Sequence, residues 1–392
     1  MRHNSALTLT RADSLVVGAG IAGLATAVAL QRSGFRPAVL ERRSALPRGG
    51  GAILMWSNAL NAFASLGLSD AVTAIGTPIE HTEFRSWSGE LLSTLPIGDL
   101  SRKAGAPSLV VHREVLLELL AAAVGHENIF FSTACTAIDE RGGDVVVTSS
   151  DGARISTRLL IGADGVDSTV RALVLHDGES RPTAHRAWGG SAPLQVEAPP
   201  LGVSCVTHGR GARIWFAPCR NGEVAWIAMA SEKRVASSDP GESRAARVGR
   251  LFADAHAPIP AVIASTPEPR MFETRIRYRS PSDLWGRGPI TLVGDAAHAC
   301  TPDLAQAACQ AIEDAATLAR VFASSDSVEG ALRLYETRRE ARTRRVTNLS
   351  RIALAQGAED DPLLCWLRDR ATNLLTHTLV QRQIWDLLSH RA

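Results

Sequence analysis

The chain has 392 residues, 45% of them hydrophobic and 21% charged, with a formal net charge of +2. That length supports a large core and more naturally two domains than one. The near-neutral balance offers no large basic field for nucleic acid or a membrane surface, and no run reaches the roughly 18 apolar residues of a spanning helix.

The cations are nearly all Arg, with Lys only at Lys103 and Lys233, which reads as coding bias rather than a phosphate-binding patch. Six cysteines show neither a C-x-x-C pair nor zinc spacing, so reduced, buried thiols and a cytoplasmic location are expected, with no metal site. The segment Met1 to Ser14 is polar and carries no apparent secretory signal.

Leu15-Val16-Val17 suits a central parallel strand and leads into Gly18-Ala19-Gly20-Ile21-Ala22-Gly23. The Ala- and Leu-rich stretch from Ile21 to Ser33 follows as a helix, stopped at Gly34. Pro37-Ala38-Val39-Leu40-Glu41 reads as a second strand ending in an acid. Glu41 lies 21 positions after Gly20, the spacing of a ribose-binding carboxylate. In such a unit Gly18 permits the tight turn, Gly20 lets backbone approach a pyrophosphate, and Gly23 lets helix pack on strand. The helix N-terminus supplies free N–H groups and a positive dipole end. The alternative is an ordinary βαβ unit without nucleotide. An acid at position 41 favours an unphosphorylated ribose, as in FAD or NAD, over NADP.

Further along, Glu83 to Leu95 reads as a β segment turning at Ser88-Gly89. Leu159-Leu160-Ile161 leads into Gly162-Ala163-Asp164-Gly165-Val166-Asp167-Ser168. Short β segments come next, with Arg213–Ala217 and Glu223–Met229 flanking an Asn221-Gly222 turn signal. Ile290-Thr291-Leu292-Val293 then leads into Gly294-Asp295-Ala296-Ala297-His298, and a helix is expected beyond Pro302. Ligands of open α/β sheets sit beyond the carboxyl ends of strands. Three such ends imply one long ligand touched along its length, such as FAD. Asp295 can accept hydrogen bonds from polyol hydroxyls or, alternatively, cap a helix; Asp164 has the alternative of a turn residue. The arginines between Tyr335 and Arg351 read as a solvated or ion-paired face, and the leucines after Asp361 recur with helical spacing.

With these motifs the chain resembles the single-component (group A, para-hydroxybenzoate hydroxylase-like) FAD-dependent aromatic monooxygenases over roughly residues 13 to 350. The resemblance implies an α/β fold: a Rossmann-like FAD/NAD(P)-binding domain with a discontinuous β-sheet substrate domain and C-terminal helices. The expected divisions are 1–75, 105–180 and 280–350 for the FAD domain, 76–104 and 181–279 for the substrate domain, and 351–392 for the helical segment. It further implies FAD contacts at Gly18, Gly20, Ile21, Ala22, Gly23, Glu41 and Arg42, and at Gly51 and Ala52 in the glycine-rich stretch Arg48–Ile53. Asp164, Asp295, Pro302, Ala305, Ala307 and Ala308 complete the set with Arg113, whose alternative is an ion pair with Glu114 or Glu118.

Arg213, Trp215 and Trp226 are the candidates for the substrate pocket; sheet core or solvent exposure is the alternative for each. His298 reads as structural rather than as a general base. The implied reaction uses NAD(P)H as transient reductant and O₂ to hydroxylate or epoxidise an electron-rich aromatic or polyketide-like molecule through a flavin C4a-hydroperoxide. A dehydrogenase, reductase or non-oxygenating cyclase on the same fold is the alternative. No catalytic side chain is assigned, because the chemistry belongs to the flavin; a monomer or homodimer is expected. Two departures stand out. The family usually has Gly at positions 305 and 307, where a Cβ could exclude positive φ, and Trp-Arg-Gly where this chain has Trp188-Gly189-Gly190.

Overall fold

Five short segments form a wholly parallel sheet: β1 (Ser14–Val17), β2 (Pro37–Leu40), β3 (Ile129–Phe130), β4 (Leu160–Gly162) and β5 (Ile290–Leu292). Their spatial order is β5-β4-β1-β2-β3. The computed structural model describes residues 9–49, 51–193, 198–236 and 241–392; Gly50 of the glycine-rich stretch and Met1–Thr8 of the polar N-terminus lie outside them. Every residue of β1, β2, β4 and β5 is buried, which is why these strands read as continuous apolar runs without alternation. Strand register sets where the turns emerge. Val17 lies opposite both Leu40 and Gly162, and Gly162 lies opposite Leu292. The three glycine signatures and Glu41 therefore leave the sheet at one level, side by side.

A second, seven-stranded sheet takes His81–Ser86 and Leu91–Leu95 from before β3 and five strands between Arg181 and Tyr278. Its central hairpin pairs Ala212–Cys219 with Glu223–Ser231, placing Phe216 opposite Trp226 and Arg213 opposite Met229. Side chains alternate between faces along each strand. Ile214, Phe216, Trp226 and Trp188 share one face and pack on the helices Arg244–Leu251 and Ile259–Ala264 as a core of their own. Arg213, Trp215 and Met229 occupy the other.

Helices α1 (Ile21–Arg32), α2 (Ala307–Phe322), α3 (Val328–Gly357), α4 (Pro362–Leu375) and α5 (Gln381–Leu388) complete the part of the fold that matters here. The 30-residue α3 runs without a break through the boundary expected at residue 351. All six cysteines are free thiols.

The arginine-rich face of α3 differs from the sequence expectation. Arg344 and Arg345 are exposed and paired with Glu340 and Asp386. Arg339, however, is only 1% exposed. Its Nε donates to Asp314 Oδ1 at 2.7 Å, one terminal nitrogen to Glu313 Oε2 at 2.5 Å, and the other to Gln310 Oε1 at 2.7 Å. Asp314 Oδ2 accepts from Gly294 N at 2.8 Å and meets His298 Nε2 at 2.7 Å. Glu313 Oε1 accepts from Asn58 at 2.6 Å and from Arg342 at 3.2 Å, and Arg342 also holds the Leu387 carbonyl at 2.9 Å. Burial alone would raise the Asp314 carboxyl, but His298 and Arg339 outweigh it and bring it down to about 2.

Replacing Arg339 by Met strands two buried carboxylates, so a loss of about 3–5 kcal/mol is expected in denaturant melts, with R339K intermediate. The Asp314 contribution is fully present above the unfolded carboxyl value of ~3.9. It is lost as pH falls through about 2. Acid melts of the parent should show that loss, and R339M should show a smaller one, because His298 and the Gly294 amide still favour the carboxylate.

Candidate functional site

The first turn divides its glycines by function. Gly18 sits at φ +109°, where a Cβ would meet the Ala163 carbonyl oxygen at 2.5 Å. A Cβ on Gly23 would lie 1.8 Å from the Gly18 carbonyl oxygen, so helix and turn pack only because both are glycine. A Cβ on Gly20 would meet nothing within 4 Å. That open space lies in front of α1, whose N-cap Gly20 supplies no side-chain bond and whose first turn carries no acid. Unsatisfied N–H groups, a positive dipole end and room for close backbone approach fit a diphosphate. Glu41 is buried at the end of β2; Oε2 accepts from Ala19 N at 2.9 Å and Oε1 from Arg43 N at 3.0 Å. Arg42 is exposed beside it.

At the end of β5, Asp295 opens the short helix Asp295–His298. It caps nothing, and among the described residues its carboxylate accepts no hydrogen bond from the protein. Burial pushes this carboxyl up, while His298 and Arg113 pull it the other way. Arg113 begins the helix Arg113–Val124, is half-buried, and has no carboxylate within ion-pair distance among the described residues. Burial and Arg43 lower its guanidinium, with Asp295 opposing. The alternative ion pairs do not form. Glu114 accepts from Gly49 N at 2.6 Å, and Glu118 meets His126 at 3.0 Å. A half-buried carboxylate and a half-buried guanidinium, each without a side-chain partner among the described residues and close enough to influence one another, fit a ligand with hydroxyls at one point and anionic charge at another.

Asp164 behaves differently. Its Oδ2 accepts from Thr169 N at 2.7 Å and Val170 N at 3.1 Å, and Oδ1 from Ser168, so it holds the first amides of the helix Thr169–Leu175, whose N-cap is Ser168. Burial still raises its carboxyl against those bonds. Arg171, within the same motif, donates to the carbonyls of Ala296 at 3.0 Å and Ala297 at 2.8 Å and ties the second turn to the third. Nothing in the spacing of the motif signals that link. His298, bonded to Asp314 and packed at a tilt against the Trp285 ring, is structural.

The segment before α2 carries Pro302, Ala305, Ala307 and Ala308, all half-exposed along the groove. Ala305 holds φ +50° and ψ +33°, so its Cβ does not exclude the left-handed conformation after all. α2 begins without an acid in its first turn or a side-chain cap, which leaves its first N–H groups without side-chain partners. Gly51 and Ala52 are buried; Gly51 offers its carbonyl to Arg113 N at 3.1 Å and lies against the Gly190 backbone. A Cβ at Gly189 would stand 2.3 Å from the Phe272 ring, which explains the missing Arg at that position.

On the second sheet Arg213 is 8% exposed and ion-paired with Asp303 of the segment before α2. Its Nη1 donates to the Ala353 carbonyl at 3.2 Å, and a Cβ on Gly357 would come within 1.7 Å of the same atom. Burial and then Arg368 pull the Arg213 guanidinium down to about 9. His208 lies directly opposite Arg213 in register, and His185 stands on the same face one strand beyond Met229. Burial, Arg368 and Arg213 push His208 down to about 3, and burial with Arg213 lowers His185. The Nδ1 atom of each ring is buried without a partner. Trp215 shares this face. Trp226 does not: it is wholly buried in the opposite core, with Nε1 bonded to Thr266 at 2.9 Å, because the register with Phe216 turns it away.

Residues 11–350 match the family model described as FAD binding domain. Aurachin C monooxygenase/isomerase of Stigmatella aurantiaca is 33% identical over 92% of this chain and 94% of its own length. The 6-hydroxynicotinate 3-monooxygenase of Bordetella bronchiseptica is 32% identical over 86% and 89%. Klebsiella pneumoniae HpxO, solved with FAD and uric acid, superposes with a TM-score of 0.87 and 27% identity, covering 97% of this chain and 96% of that one. The chain belongs to the FAD binding domain family and is an FAD-dependent monooxygenase. Among the described residues no helix is long and apolar enough to cross a membrane, and no cluster of three or more His, Cys, Asp or Glu could hold a metal ion.

Two substitutions test the cofactor groove. D295N keeps the shape and removes the charge. FAD affinity, read by flavin fluorescence titration, should fall about 10- to 100-fold, the equivalent of charged hydrogen bonds worth ~1.5–3 kcal/mol. The apoprotein should melt no lower than the parent, because a buried carboxylate has been neutralised. A305G relieves left-handed strain, and urea melts should show a gain of at most about 1 kcal/mol once the extra chain freedom is counted.

Proposed function

We propose that this monooxygenase acts on an electron-rich aromatic or heteroaromatic ring that carries an anionic oxygen and further polar edge groups. The observation that carries this reading is the buried Arg213 guanidinium, flanked on one sheet face by two neutral imidazoles with unpartnered nitrogens. Asp303 already meets this cation, so a substrate anion would join that pair or displace the carboxylate, and either contact is stronger here than in water. His185 and His208 each present one ring nitrogen, able to meet a carbonyl or N–H edge of a planar ligand. Trp215 and Met229 supply the apolar wall, and Asp303 joins this wall to the segment at the head of α2. Relatives named for 6-hydroxynicotinate and aurachin C, and the uric acid complex of HpxO, are consistent with a polar ring of this kind, the polyketide-like class included.

FAD, when bound, supplies the redox and oxygen-transfer chemistry. The chain's own residues bind and orient. Gly18, Gly20, Ile21, Ala22 and Gly23 admit the diphosphate at α1, Glu41 meets the ribose, and Asp295 meets the ribityl hydroxyls. Arg113 offsets phosphate charge, and the N-terminus of α2 from Ala307 faces the ring's polar edge. The strands and helices that frame the groove are apolar and close-packed, which limits the entry of water. NAD(P)H is the reductant and docks transiently, because the chain has one dinucleotide fingerprint.

The test is NADH or NADPH oxidation by the purified yellow protein with O₂ and a panel of hydroxylated aromatic acids, heteroaromatic acids and neutral arenes, with products weighed for one added oxygen. Turnover confined to neutral arenes would sink the substrate reading. With the best substrate, R213Q should lower kcat/KM about 10- to 100-fold, mostly through KM. An unchanged kcat/KM removes Arg213 from the pocket.

A further inference from the structure

Arg213 reaches from the second sheet to the last turn of α3, and that contact rests on a glycine. Gly357 is buried and closes α3 without positive φ; the cap is Ala358, at φ −101°. The backbone therefore makes no demand for glycine at 357, where alanine is the better helix former. The demand comes from space. A Cβ at 357 would lie 2.7 Å from Arg213 Cζ and 3.1 Å from Cδ, and closer still to Nη1.

Neither partner is free to move aside. Arg213 Nη1 donates to the Ala353 carbonyl at 3.2 Å, Nη2 donates to Met229 Sδ at 3.4 Å, and Asp303 pairs with the same guanidinium. The space bounded by His185, Arg213, Met229, Leu354 and Gly357 has no room for a water molecule. The end of α3 is tied in turn to the bend that precedes Arg213. Gly211 N donates to the Glu359 carbonyl at 2.7 Å, Arg210 Nε to the Asp360 carbonyl at 3.2 Å, and Arg368 of α4 to the Gly209 carbonyl at 3.0 Å. The last turn of α3 also carries no basic residue of its own, so Arg213 supplies the cation that a helix C-terminus favours.

We propose that Gly357 is a positioning residue that determines specificity: the room it leaves holds the Arg213 guanidinium against α3 and beside Asp303, and so sets the preference for an anionic ring over a neutral one. This rests on the reading of Arg213 as the anion anchor. It goes beyond that reading by assigning the choice of substrate charge to a residue that has no side chain. Any larger residue at 357 would drive the guanidinium away from Ala353 and Asp303.

The experiment compares the FAD-loaded full chain as parent, G357A, R213Q and the double variant. The probes are the hydroxylated aromatic acid of highest kcat/KM in the panel above and the carboxamide of that acid, the same ring without the charge. G357A should lower kcat/KM for the acid about tenfold, the loss of one charged hydrogen bond, and change it for the carboxamide by less than about twofold. In R213Q it should cost nothing further, because glutamine ends before Cζ and Nη1, the atoms a Cβ at 357 would strike first. The melting temperature follows the same cycle: G357A lowers it in the parent and leaves it unchanged or higher in R213Q. A G357A that folds only in the R213Q background is the extreme of that result and supports the placement. Equal losses on acid and carboxamide overturn the proposal, as does a melting loss of the same size in both backgrounds. Unchanged acid turnover in G357A, where R213Q is impaired, overturns it and leaves the anchor reading standing. An R213Q with unchanged kcat/KM instead overturns the anchor reading, and the specificity role with it.

Discussion

One buried cation orders the cofactor side of this molecule. The Arg339 guanidinium bonds both Glu313 and Asp314, adjacent residues that α2 directs to one side, and all three are almost fully excluded from solvent. A single carboxylate at that depth would be expelled or protonated; two held by one planar fork, with Gln310 meeting the remaining nitrogen, are satisfied. What they hold is the binding machinery. Asp314 fixes the amide of Gly294 and the ring of His298, and so the turn that presents Asp295. Glu313 fixes Asn58, which also bonds Gln306 at the cap of α2. Both ends of the segment from Gly294 to Ala307 thus refer to the same charge cluster.

The parallel sheet supplies the other half of the arrangement. Because β1, β2, β4 and β5 end in register, residues nearly 280 positions apart reach one groove without long loops. Within that groove the side chains fall into two kinds. Asp164 and Arg171 have internal partners and set backbone geometry, and Glu41 does the same with one bond to each oxygen while keeping lone pairs for a ribose hydroxyl. Asp295 and Arg113 are left without hydrogen-bonding or ion-pairing partners in the protein among the described residues, so their polar groups remain for a ligand. The distinction matters because all five belong to motifs that look alike in the sequence.

That limit on legibility has a physical form. The cofactor turns were readable because close packing of Gly18 on Ala163 and Gly23 on Gly18 tolerates no side chain, so the chemistry imposes a spacing. Strand parity was readable only in relative terms. Adjacent Trp215 and Phe216 must face opposite ways, but which face fronts the groove depends on the helices Arg244–Leu251 and Ile259–Ala264, packed on the other side. Trp226 was misassigned for that reason. Arg339 was hidden among exposed arginines of one helix, since nothing in α3 alone reveals that two carboxylates of α2 await it. The dense Arg pattern averages over a helix whose faces differ completely in solvent exposure.

The segment Pro302–Gln306 shows how a fold keeps a conformation its own residue disfavours. Alanine at positive φ costs roughly 1–2 kcal/mol, and position 305 adopts it. Each neighbour is fixed from a different direction. Ala305 N donates to the Pro302 carbonyl at 2.9 Å; Asp303 is held by Arg213 from the second sheet; the Leu304 carbonyl accepts from Trp56 Nε1 at 2.9 Å. The Ala305 carbonyl meets Cys309 Sγ at 3.5 Å, and Gln306 accepts from Asn58 at 3.1 Å and Gln310 at 2.9 Å. Relaxing the φ of one residue would disturb all of these bonds, so the strain persists because its surroundings over-determine it. The same pins join the second sheet, the Trp56 segment and α2 at one short stretch of chain. An added methyl group is therefore tolerated where the family usually has none, and the groove keeps its shape.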